Sequence, residues 1–84
     1  MNDRILVTVH LPAAYTKFEV MLPLQGNMQE IQAGLSRMLA DLSGGMFSPS
    51  PTTMLLDKSN GNFIGINATA EELHLRNGSQ LLLI

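Results

Sequence analysis

Asn27-Met28-Gln29-Glu30-Ile31-Gln32-Ala33-Gly34-Leu35-Ser36-Arg37-Met38-Leu39-Ala40-Asp41-Leu42-Ser43-Gly44 is the one long stretch of this 84-residue chain with a helical period. Met28, Ile31, Leu35, Met38, Leu39 and Leu42 recur at steps of three and four, so a helix would gather them into one apolar stripe. Gln29, Gln32, Ser36, Arg37 and Asp41 then lie away from it. Asn27 is placed to accept from the free backbone donors of the first turn, and Glu30, three residues on, to reach back as in a capping box. Ser43-Gly44-Gly45 ends the helix, because glycine enters the left-handed cap conformation without steric cost, and Met46 or Phe47 can fold back on the last turn. Gly34 inside the helix costs about 1 kcal/mol against alanine and is read as tolerated. A single helix cannot bury such a stripe, so the remaining residues must supply a layer for it to lie on.

They supply a sheet. Between residues 4 and 11, Ile5, Val7, Val9 and Leu11 alternate with Leu6, Thr8 and His10. After the short connection Pro12-Ala13-Ala14-Tyr15, Phe18, Val20 and Leu22 alternate with Lys17, Glu19 and Met21, which predicts an antiparallel hairpin. Residues 43–52 form the longest loop, with Gly44, Gly45, Pro49 and Pro51 resisting both helix and strand. Met54 to Leu56 is a short apolar run. Asn60-Gly61 marks a turn, and Phe63, Ile64 and Ile66 make another small extended piece. Thr69-Ala70-Glu71-Glu72 repeats the capping-box pattern before Leu73 and Leu75, and the Asn77-Gly78 turn delivers a closing apolar strand from Gln80 to Ile84. The predicted class is α+β: one domain over residues 1–84, with a mixed sheet of four to five strands packed on one helix, in the order of a β-grasp.

Composition narrows the partners. Only 14% of residues are charged against 45% hydrophobic, which describes a packed globule with apolar residues left over for its surface. The net charge is −2, and Arg4, Lys17, Arg37, Lys58 and Arg76 are scattered, with no stripe to neutralise a phosphate backbone, so nucleic acid is not an expected partner. There is no cysteine, hence no disulfide, thiolate metal site or thiol nucleophile, and the cytoplasm is the expected compartment. Met1-Asn2-Asp3-Arg4 runs directly into a strand pattern without a signal-peptide layout, and no apolar run reaches bilayer-spanning length, so direct membrane insertion is not expected.

From Ile5 onward the chain resembles ubiquitin in length and element order. The run Thr69-Ala70-Glu71-Glu72-Leu73-His74-Leu75-Arg76-Asn77-Gly78-Ser79-Gln80-Leu81-Leu82-Leu83 is similar to the short helix, turn and closing strand of ubiquitin-like domains. Among those families the resemblance is to the YukD-like group, short bacterial proteins associated with type VII (WXG100) secretion. The shared features are length, a start directly on the first strand, an asparagine-glycine turn and an ending on the last strand. The resemblance implies a cytoplasmic secretion accessory that acts by binding protein.

Ubiquitin and the sulfur carriers of its fold work through a tail ending in two glycines, whereas this sequence stops at Leu83-Ile84 and its paired glycines, Gly44-Gly45, belong to the helix end. Conjugation is therefore not expected. The rival readings are a modifier or sulfur carrier whose glycine tail lies beyond the sequence read, and the N-terminal ubiquitin-like domain of a larger secretion membrane protein. No enzyme, cofactor or metal is expected: His10, His74, the carboxylates and the hydroxyls show no spacing for a nucleophile with its base or for a metal-ligand set. What remains is a surface. With Ile5, Val7, Val9, Leu81 and Leu83 facing the helix, alternation sends Leu6, Thr8, His10, Leu82 and Ile84 to the other side, and Leu55 is expected to join them from the third strand. Leu6, Leu55, Leu82 and Ile84 would form one apolar patch bordered by Thr8 and His10, positioned like the surface through which ubiquitin is recognised. It would take a protein partner or pair with a second copy as a homodimer.

Overall fold

Alternation and turn chemistry produce a hairpin first: β1 (Arg4–Leu11) and β2 (Thr16–Pro23) pair antiparallel from Arg4↔Pro23 to Leu11↔Thr16. The computed structural model describes residues 3–84. A single 3-10 turn at Pro12–Ala14 reverses the hairpin, and Tyr15 closes it at φ 52° with its N–H donating to the Pro12 carbonyl. Helix α1 (Met28–Leu42) follows, then β3 (Leu55–Asp57) and β4 (Gln80–Leu83). The sheet order is β2-β1-β4-β3, with β4 parallel to β1 and antiparallel to β3. This is the ubiquitin-like β-grasp: a mixed four-stranded sheet with one helix across one face.

The expected extended piece at Phe63, Ile64 and Ile66 shrinks to one bridge, Leu56↔Phe63, flanked by bonds from Asp57 N–H to the Asn62 carbonyl (2.8 Å) and from Ile64 N–H to the Leu55 carbonyl (2.8 Å). Its partner β3 is only three residues long, so the ladder has nothing further to pair with. Ile64 still buries its side chain while Phe63 stays in solvent.

The inner face of the sheet carries Ile5, Val7, Val9 and Leu11 from β1, Leu22 from β2, Leu55 from β3, and Leu81 and Leu83 from β4. Met28, Leu35 and Leu39 of the helix close over them, with Phe47, Ile64, Ala70 and Leu75 sealing the ends. The helical stripe is narrower than its sequence pattern. Ile31 is only half-buried and Met38 and Leu42 are exposed, whereas Ser36 is buried. Successive helical residues turn by about 100°, so Leu35, Leu39 and Ser36 share one arc and Met38 falls on its outer flank. Two polar residues sit on the inner side because backbone carbonyls satisfy them. Ser36 Oγ donates to the Gln32 carbonyl at 2.8 Å, and Gln32 Nε2 donates to the Thr53 carbonyl at 3.1 Å, which also holds the long loop to the helix.

Both caps form. Asn27 Oδ1 accepts from the Gln29 (2.8 Å) and Glu30 (3.4 Å) N–H groups, and Met28 N–H donates to the Ala68 carbonyl, so the helix start is tied to the segment before the last strand. At the other end Gly44 and Gly45 take φ 65° and 86°, and the Gly45 N–H reaches the Ala40 carbonyl. Phe47, not Met46, folds back into the core, its N–H held by Ser43 Oγ. The reciprocal capping box appears at Thr69, where Glu72 Oε1 accepts from the Thr69 N–H (2.9 Å) and Thr69 Oγ1 from the Glu72 N–H (3.1 Å). Among the described residues no buried side-chain nitrogen or oxygen lacks a partner.

Gly34 needs no close approach: a Cβ built there meets nothing within 4 Å. Gly34→Ala is therefore expected to raise stability by up to about 1 kcal/mol, the difference in helix propensity. An unchanged or lower urea midpoint would contradict that.

Candidate functional site

The face of the sheet turned away from the helix is set by register. Across β1 and β2, Leu6 stands opposite Met21, Thr8 opposite Glu19 and His10 opposite Lys17. Across β1 and β4, Thr8 neighbours Gln80 and His10 neighbours Leu82. Across β4 and β3, Leu82 pairs with Leu56, and one step beyond, Met54 and Ile84 exchange both backbone hydrogen bonds. Leu6 (40% exposed) and Ile84 (47%) are open to solvent, and Thr8, His10, Leu56 and Leu82 are half-buried.

Leu55 is not on this face. It pairs directly with Leu83, whose side chain is in the core, and side chains opposite each other in an antiparallel pair share a face. Leu55 is accordingly 1% exposed, and Leu56 takes the outward position expected for it. The short apolar run around residue 55 offered no alternation from which to choose between the two leucines.

The face also divides in two. Leu6 lies level with Gly78, whose N–H donates to the Leu6 carbonyl, while Leu82 lies level with His10, four residues further along β1 and so about 13 Å away. Between the Leu6–Met21 end and the Met54–Leu56–Leu82–Ile84 end sit Thr8, Gln80 and His10. His10 Nε2 and Gln80 Oε1 are 2.7 Å apart, and Gln80 Nε2 donates to the Gly78 carbonyl at 3.3 Å. That second bond orients the amide with its oxygen toward the imidazole, so His10 carries its proton on Nε2 when neutral. Met21, which alternation already set apart from Phe18, Val20 and Leu22, completes the face together with Gln80 and with Met54, whose side follows only from cross-strand register.

His74 is exposed in the turn before β4 at φ 59°, on a segment apart from His10. Among the described residues no three His, Asp or Glu side chains converge as a metal site, and no helix is long and apolar enough to cross a membrane.

No protein-family model and no curated protein sequence matches the chain. Solved structures do. The chain is similar to the EccD5 ubiquitin-like domain from Mycobacterium xenopi, with TM-score 0.80 and 16% identity over 96% of this chain and 92% of that one. It is also similar to a chain of the MycP5-free ESX-5 inner membrane complex, with TM-score 0.80 and 12% identity over 98% of this chain but only 21% of that one. Caldiarchaeum subterraneum ubiquitin gives TM-score 0.74 and 16% identity over 96% of this chain and 91% of that one. At such identities the likeness establishes the ubiquitin-like fold. The neighbours include ubiquitin-like domains of type VII secretion proteins.

Proposed function

We propose that this chain is a non-conjugating ubiquitin-like interaction module that serves a bacterial type VII secretion system from the cytoplasm, by docking the outer face of its sheet on a protein partner. The observation that carries the reading is the half-open apolar surface of Met54, Leu56, Leu82 and Ile84 on a sheet whose other face the helix already covers. The secretion assignment draws support from the likeness to EccD ubiquitin-like domains and from the YukD-like features of the sequence. A partner interface would place these side chains at its desolvated centre, within a polar border formed by Thr8, His10 and Gln80.

A second reading, a ubiquitin-like domain within a larger secretion membrane protein, is favoured by the match to about one fifth of a chain of an inner membrane complex. The two share a docking surface and differ in the natural gene product, whose intact mass separates them. Affinity capture from the membrane and soluble fractions of the source cell, followed by mass spectrometry, tests the common claim. Secretion components are expected with the wild type and are expected to be lost with Leu56→Asp and Ile84→Asp, while circular dichroism is unchanged. Equal recovery with the variants would sink the docking face.

A further inference from the structure

Where the outer face meets the hairpin end, the sheet hollows into an open concavity of about 730 Å³ whose lining includes His10, Pro12, Tyr15, Lys17, Lys58 and Leu82. Strand order dictates its charge. Lys17 stands on β2 opposite His10, and Lys58 follows β3, its N–H donating to the Gln80 carbonyl, so the two lysines flank the His10 and Leu82 strands from both sides. Three strand spacings of about 4.8 Å across the sheet and an offset of two residues along it put their backbones about 16 Å apart, close enough for both flexible ammonium groups to lean over the floor between them. Among the described residues no carboxylate lines the hollow. On a chain of net charge −2 with five basic residues, two of the five gather on this one concavity.

Tyr15 is a second, independent feature of the rim. It is 92% exposed and holds φ 52°, a left-handed conformation that glycine or asparagine adopts at lower cost than other residues. Its side chain gains no burial in return. A phenol kept in solvent beside an apolar floor and two ammonium groups has the composition of a contact site, aromatic and cationic at once.

We propose that this concavity binds an extended acidic segment of the protein partner, with a carboxylate held between Lys17 and Lys58 and a neighbouring aliphatic side chain laid on Leu82 and Pro12 beside the Tyr15 ring. The proposal rests on the sheet face being the docking surface and specifies which end of it reads charge. A hydrophobic floor supplies affinity and the paired ammonium groups supply selection for acid and steer the encounter.

The probe is a fluorescein-labelled ten-residue peptide alternating glutamate and leucine, compared with its glutamine-for-glutamate counterpart by anisotropy. The acidic peptide is expected to bind at least tenfold tighter, to weaken with added salt, and to shift the amide resonances of His10, Lys17, Lys58 and Leu82. Lys17→Glu with Lys58→Glu, both at exposed positions, is expected to weaken it at least tenfold. Arg37→Glu with Arg76→Glu, which changes net charge equally elsewhere, is expected to leave it within twofold. Equal binding of the two peptides, equal weakening by the control pair, dimerisation abolished by the lysine pair without peptide binding, or capture by phosphatidylserine vesicles in place of the peptide would each overturn the proposal. If Leu56→Asp abolishes partner capture and the lysine pair does not, the groove is wrong and the docking face stands. If neither does, the face itself is wrong.

Discussion

Leu35→Ala is expected to lower unfolding free energy by about 2 to 5 kcal/mol, the range for truncating a buried leucine where the surroundings collapse only partly. Leu35 is 4% exposed at the centre of α1 and belongs with Leu39 to the buried core cluster. At roughly 0.05 to 0.15 kcal/mol per residue, 84 residues hold about 4 to 13 kcal/mol, so this one side chain accounts for a large share of the total. Even a 2 kcal/mol loss lowers Tm by about 8 to 16 °C in a domain of this size. Ile31→Ala, on the half-buried flank of the same helix, is expected to cost about half as much. Urea titration of both variants checks the ranking, and a larger loss at Ile31 than at Leu35 would mean that the helix is rotated from the orientation described.

That rotation shows where sequence stops informing. Hydrophobic period located α1 to the residue at its N-cap, because Asn27 and the glycine pair have local backbone reasons to be where they are. The same period could not tell which side of a broad apolar stripe meets the sheet. Met38 and Leu42 are apolar and exposed, while Ser36 is polar and buried, and the difference lies in a hydrogen bond to the Gln32 carbonyl that no pattern of hydropathy encodes. Turn chemistry behaved like the caps: Asn60-Gly61 and Asn77-Gly78 place Gly61 and Gly78 at φ 75° and 90°, conformations open to glycine, and both turns were legible.

The outer sheet face was half legible for a related reason. In β1 strict alternation separated Ile5, Val7 and Val9 from Leu6, Thr8 and His10 without ambiguity. In the apolar run at residues 54–56 every position is a candidate for either face, and only the Leu55↔Leu83 pairing decides it. Contiguity was harder still. That Leu6 and Leu82 share a face follows from parity, but that four residues of β1 separate them follows from the β1–β4 register, a long-range pairing that one sequence does not contain.

Register also supplies the sharpest contrast available to experiment, at two adjacent leucines of β4. Leu81 is fully buried opposite Val9 and Asp57, whereas Leu82 is half-open between His10 and Leu56. Leu81→Asp would leave a carboxylate without a cationic partner beneath the helix, a change that costs at least about 3 kcal/mol when such a charge stays buried, and it is expected to unfold the domain or leave it only marginally folded at neutral pH. Leu82→Asp loses part of one apolar contact and some strand propensity, about 1 to 2 kcal/mol, and is expected to keep the native circular dichroism spectrum and a cooperative melt. The functional outcome runs the other way: the folded Leu82→Asp protein should fail to hold a partner, because the substitution places a negative charge on the floor where an acidic segment would lie. If Leu82→Asp unfolds and Leu81→Asp does not, β4 is displaced by one residue against β1, its outward side chains move to the core, and the docking face as described does not exist.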